Sequence, residues 1–105
     1  MAEDPREFND GDLLEDLRDD LKEPDMWKVV LINDDYTPRD FVVEILVSIF
    51  HKPPIEATRI MLEVHNKGRG MVGVYTYDIG RTKVAQVTAL AREREFPLKS
   101  ILEKA

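Results

Sequence analysis

The 105-residue chain contains no cysteine. Disulfides, thiolate nucleophiles and thiolate metal sites are therefore excluded, and a reducing, cytoplasmic setting is expected. Serine is nearly as scarce. Ser48 and Ser100 are its two instances, and neither lies in a Gly-x-Ser-x-Gly turn. No apolar run approaches the roughly 18 residues needed to span a membrane, so no membrane partner is expected. The first residues are acidic and lack an apolar stretch, which fits neither a secretory signal nor an Arg-rich transit peptide. Glycine is too thinly spread for a phosphate cradle, and Gly68-Arg69-Gly70 is too short to be one. These absences argue against an enzyme and against a cofactor, and they direct attention to binding.

Charge is plentiful but unevenly placed. The net charge is −6. Residues 1–25 carry 11 acidic and 3 basic side chains, a net of −8, while 26–105 carry 10 and 12, a net of +2. A nearly neutral body behind an acidic leader lacks the clustered Lys and Arg that phosphate contacts need, so nucleic acid is not an expected partner. The apolar fraction of 43% is ordinary for a globular chain, and this length supports one modest core. Residues 1–12 are almost without apolar content, which predicts disorder. Leu13, Leu14, Leu17 and Leu21 recur at helical spacing among acids, compatible with a transient helix that Pro24 closes off. The chain therefore divides into a flexible acidic extension, 1–25, and a domain, 26–105.

Within the domain, Met26 to Ile32 reads as a buried strand ending at Asn33-Asp34-Asp35, whose short polar side chains favour a turn. Thr37 suits an N-cap and Pro38 a first helical position. Phe41, Val42, Ile45, Leu46, Ile49 and Phe50 then mark an amphipathic helix over 38–51. Pro53-Pro54 starts a second helix with Ala57, Ile60, Met61 and Val64 on one face and Gly68 as its stop. Gly70 to Thr76 is a second strand, with Gly73 marking a bulge or a close approach. Thr76 caps a third helix buried through Val84, Val87, Thr88 and Ala91. Phe96, Leu98, Ser100 and Leu102 alternate as a last strand, placed at an edge or entered through Pro97. The order β-α-α-β-α-β predicts an α+β sandwich: a three-stranded, mainly antiparallel sheet covered by helices.

The turn at 33–35 gathers carbonyl and carboxylate oxygens between a buried strand and a helix start. Such a group favours a cation: a metal, an ammonium or a guanidinium. It also serves simply as a turn. A metal site of Asp34, Asp35 and His65, as in a small hydrolase, remains open, although no ligand spacing supports it and no metal is expected. His65 shares a helix face with Met61 at i−4.

Taken together, Asn33-Asp34-Asp35-Tyr36-Thr37-Pro38 with Phe41-Val42, Ala57-Thr58 with Met61, Val64 and His65, Gly73-Val74-Tyr75, Thr82-Lys83-Val84-Ala85, Pro97-Leu98 and Leu102-Glu103 resemble ClpS. The resemblance covers residues 26–105. That family is the adaptor that carries N-end-rule substrates to the ClpA unfoldase of the ClpAP protease. It implies a pocket for a first residue that is Leu, Phe, Trp or Tyr. By position, Asn33, Asp35 and His65 would hold the free α-amino group, with Asp34 supporting them. Thr37, Val42, Met61, Val64 and Leu98 would shape the side-chain pocket. Arg39 stands at the pocket rim where many members carry methionine, and its aliphatic stem can still form a wall. Asp78 and Lys83 would fall on the surface that docks the ClpA N-domain. A domain of the same fold serving a different machine is the other binding alternative.

Overall fold

The computed structural model describes residues 25–105. The acidic extension, apart from Asp25, and the helix expected around Leu13 to Leu21 lie outside the described residues. The domain follows the expected order: β1 (Met26–Ile32), α1 (Arg39–Ser48), α2 (Pro54–Lys67), β2 (Arg69–Thr76), α3 (Tyr77–Glu93) and β3 (Lys99–Lys104). β1 is the central strand of a three-stranded sheet ordered β2-β1-β3, antiparallel on both sides.

The centrality of β1 follows from its composition. Val29, Val30 and Leu31 are consecutive and all buried, and consecutive strand residues face opposite ways. Val29 and Leu31 enter the main core with Phe41, Ile45, Ile60 and Val87 from the three helices. Val30 faces the other side, between its cross-strand partners Met71 and Ile101. On that outer face Glu103 accepts a hydrogen bond from Arg69 at 2.6 Å and lies 3.8 Å from Lys28. The Arg69 hydrogen bond holds the Glu103 carboxyl below the usual carboxylate range.

Several boundaries differ from the sequence reading. α1 ends at Ser48, and the chain turns through His51 at φ 57°. Pro53 disfavours helix at Lys52, so the helix stops, although Phe50 stays buried. Thr37 does not cap α1. Pro38 occupies the cap position with extended backbone, and its carbonyl accepts from the amides of Phe41 and Val42. Thr76 does precede α3, but without a side-chain cap bond. β3 begins at Lys99 rather than Phe96. Glu95 turns at φ 62° and Pro97 has no amide to give a ladder, so Phe96 packs on Phe41 instead, with ring centroids 4.9 Å apart. β3 is an edge strand.

Three glycines mark special points of the backbone. The register of β1 and β2 shifts between Val29 and Val30, opposite Gly73 and Met71, which is the irregularity expected near Gly73. At Gly70 an added Cβ would stand 2.7 Å from Val64 Cγ2, so the start of β2 is pressed against α2. Gly68, at φ 88°, ends α2 in the left-handed conformation that glycine reaches without strain.

Candidate functional site

The loop between β1 and α1 is tied down at both ends. The Asn33 amide donates to the Gly68 carbonyl at 3.0 Å, which sets the start of the loop beside the end of α2. Asp34 then organises the loop from within. Its Oδ1 accepts from the amides of Tyr36, at 2.8 Å, and Thr37, at 2.7 Å. Its Oδ2 accepts from the Thr37 hydroxyl at 2.7 Å. This is an Asx turn, in which a short carboxylate replaces backbone acceptors. It also explains why Thr37 is not the helix cap: its hydroxyl is committed to Asp34.

The braced loop forms one wall of a cavity of about 340 Å³. Asn33, Asp34, Asp35, Thr37 and Arg39 line it from the loop and the start of α1; Val42 lines it from α1; Met61, Val64 and His65 line it from α2. The cavity thus has a polar end and an apolar side. Val42 and Val64 are buried and rigid at χ1. Met61 is half-buried and adaptable. Among the described residues neither the Asn33 nor the Asp35 side chain has a hydrogen-bond partner. Tyr36 and Pro38 also line the cavity and were not among the expected pocket residues. Tyr36 is 79% exposed, and an aromatic set among turn-forming residues was the available signal.

Leu98 is the exception among the expected pocket residues. It is buried in the main core and lines a second cavity of about 370 Å³, with Thr88, Ala91, Arg92, Phe96 and Ser100, rather than this one. The break before β3 turns it toward the C-terminal half of α3.

Arg39 lines the cavity and makes a contact that was not expected. Its guanidinium reaches across to α2, where Nη2 lies 2.6 Å from His65 Nε2. A guanidinium only donates, so His65 Nε2 accepts and the neutral ring carries its proton on Nδ1. No three His, Cys, Asp or Glu side chains come together as a metal-ligating group among the described residues. Asp34, with three donors on its two oxygens, is a brace and not a vacant ligand.

The other expected surface is on α3. Asp78 is exposed in the first turn. Lys83 is half-buried: its Nζ donates to the Ile49 carbonyl at 2.7 Å and lies 5.9 Å from the centre of the Phe50 ring. It therefore satisfies a carbonyl at the end of α1 as well as presenting charge. No described helix is long and apolar enough to cross a membrane.

Comparison with known proteins converges on one family. A family model described as the ATP-dependent Clp protease adaptor protein ClpS matches residues 22–101. An ATP-dependent Clp protease adapter protein ClpS of Acetivibrio thermocellus is 63% identical over 84 residues, covering 80% of this chain and 85% of that protein. One from Syntrophus aciditrophicus is 54% identical over 95 residues, covering 90% and 89%. Among solved structures, Agrobacterium tumefaciens ClpS2 bound to L-phenylalaninamide superposes with a TM-score of 0.77 at 38% identity, over 79% of this chain and all of that one. With fold, chain order and relatives in agreement, the chain belongs to the ClpS family of adaptor proteins for the ATP-dependent Clp protease, a family of adaptors and not of catalysts.

Proposed function

We propose that this chain binds proteins whose first residue is Leu, Phe, Trp or Tyr and delivers them, in the cytoplasm, to a ClpA-type unfoldase for degradation. The observation that carries the reading is the two-part cavity: acceptors at Asn33, Asp35 and His65, the last engaged by Arg39, beside an apolar wall of Val42, Met61 and Val64. The Agrobacterium relative is bound to L-phenylalaninamide. That molecule has an α-amine, a benzyl side chain and an amide in place of a carboxylate, which is what the first residue of a protein offers.

The chemistry fits both parts. An α-ammonium presents three donors and one charge. Asn33 and Asp35 oxygens accept two of those hydrogens, and neutral His65 accepts the third through Nε2. Charge-assisted hydrogen bonds contribute about 1.5–3 kcal/mol each. Burying one Leu or Phe side chain against Met61 and the valines contributes about 1.5–3 kcal/mol. A micromolar complex needs about −8 kcal/mol after the costs of association, so amine and side chain are required together. Thr37 and the Arg39 stem complete the rim. Leu98, buried in the same core cluster as Val42 and Val64, backs the apolar wall.

Asp78 and Lys83 mark the face that docks the unfoldase N-domain. The acidic extension, 1–25, is the part offered to the unfoldase pore. Twenty-three residues reach at most roughly 80 Å when extended, enough to approach a pore from a domain docked at its rim.

The test is a peptide panel varied only at its first residue, titrated with free and with N-acetylated termini. Free Leu, Phe, Trp and Tyr peptides bind and their acetylated forms do not. Equal affinity for the acetylated forms would remove the amine from the site. A degradation assay on a Phe-initiated reporter completes it. A form lacking residues 1–23 keeps peptide affinity but no longer promotes degradation.

A further inference from the structure

We propose that Arg39 acts as an internal stand-in for the ligand's ammonium, holding the His65 Nε2 acceptor until an α-amino group displaces it. The inference rests on the amine-binding reading above. Arg39 is the first residue of α1, and His65 is near the end of α2, 26 residues away in sequence. Both line the cavity that Asn33 and Asp35 enter, and their nitrogens are 2.6 Å apart.

The contact fixes two things. A guanidinium has no acceptor, so His65 must be neutral and must point its Nε2 lone pair at Arg39. That same lone pair is the third acceptor an ammonium would need. Guanidinium and ammonium are both cations, so they compete for it and repel one another across the polar end of the cavity. One must leave when the other arrives.

Arg39 is able to leave. It is exposed, and its long stem can swing its charge into water without unpacking the core. His65 is exposed as well, so the contact is of the weak, solvent-screened kind. An arriving amine that brings an apolar side chain for Val42, Met61 and Val64 gains enough to complete the exchange. An ammonium without such a side chain, as on a lysine, gains little over the cation already present. Arg39 thereby sets a threshold that favours ligands offering both features at once.

The experiment compares the wild-type chain with Arg39→Met and Arg39→Ala. Each is titrated with one Phe-initiated peptide by fluorescence anisotropy, and the ring nitrogens of His65 are read by ¹⁵N NMR in each unliganded protein. Both variants should bind roughly two- to tenfold more tightly, the scale of one exposed charged contact. Unliganded wild type should show His65 protonated on Nδ1, and both variants should show a mixture of tautomers. Arg39→Ala separates this role from simple packing, because loss of an apolar wall would weaken binding. Unchanged or weaker binding in Arg39→Ala, or a His65 tautomer indifferent to residue 39, overturns the proposal. If none of the three proteins binds the peptide, the amine-binding reading itself falls. If all three bind alike, that reading stands and the stand-in role falls.

Discussion

Asp34 and Asp35 are adjacent, carry the same charge and line the same cavity, yet their side chains differ in what they bond. Asp34 accepts three hydrogen bonds within the loop, at 2.8, 2.7 and 2.7 Å. Tyr36 is exposed, so water replaces the acceptor for its amide at little cost. The two bonds from Thr37 are half-buried and matter more. Losing them in Asp34→Ala should cost about 2 kcal/mol, from about 1 kcal/mol per bond. For a domain of this size that lowers Tm by roughly 8–16 °C. Asp34→Asn keeps Oδ1 for both amides, and its amide nitrogen can donate to the Thr37 oxygen with the bond reversed. Its cost should stay under about 1 kcal/mol, and peptide affinity should stay within about threefold. Asp35 has no such partner among the described residues. Asp35→Asn should leave Tm within about 3 °C, since exposed substitutions are usually within ±0.5 kcal/mol. It should still weaken a Phe-initiated peptide roughly fivefold to tenfold, because a charge-assisted bond to the ammonium becomes a neutral one of about half the strength. Thermal melts and anisotropy titrations of the three variants decide the matter. Equal loss of affinity in Asp34→Asn and Asp35→Asn would refute the division between brace and ligand.

Gly70→Ala places a Cβ 2.7 Å from Val64 Cγ2 and 3.4 Å from the Ile60 carbonyl, so α2 must move. Overpacking of this kind costs about 1–3 kcal/mol, and peptide affinity should fall with stability because Val64 and His65 ride on the displaced turn; a variant with wild-type Tm and affinity would contradict the close packing. Lys83→Ala removes the bond to Ile49 and the charge over Phe50, which should cost about 1–2 kcal/mol, whereas Asp78→Ala should cost about 0.5 kcal/mol. Both should weaken ClpA association in a pull-down without changing peptide affinity, and loss of peptide binding in Asp78→Ala would show that the two surfaces are not separate. Glu103 is held below its ordinary pKa first by the Arg69 hydrogen bond and then by the charges of Arg69 and Lys28. A carboxylate depressed in the folded state stabilises above its unfolded pKa and loses that contribution as pH falls through the folded one. Glu103→Gln should therefore flatten the acid limb of stability in urea melts run below about pH 5, and an unchanged limb would mean that the outer-face network is not felt.

What the chain states locally is what local physics governs. The β-branched run before Asn33, the apolar period of α1, the Pro54 start and Gly68 stop of α2, and the position of Thr76 before α3 each depend on neighbours a few residues away. Helix period, missing amides and left-handed glycine operate over that range, so the element order and the antiparallel α+β plan were readable from sequence. The motif at 33–38 and the Met61–His65 face were readable too, because the first is one turn and the second one helix face.

Tertiary structure decided which side chains answer one another. Thr37 could cap α1 or serve Asp34, and both options are local. The Asx turn wins because Pro38 takes the cap position with backbone alone. Arg39 meets His65 across 26 residues and Lys83 meets Ile49 across 34. Neither pairing is encoded in any period, since it depends on where α1 lands against α2 and α3. Leu98 faces the second cavity because the turn at Glu95 and the missing amide of Pro97 delay β3 to Lys99. An alternating pattern specifies two faces of a strand, but not the residue at which pairing begins. Elements come from short-range conformational preference, whereas partners come from the packing of the whole domain.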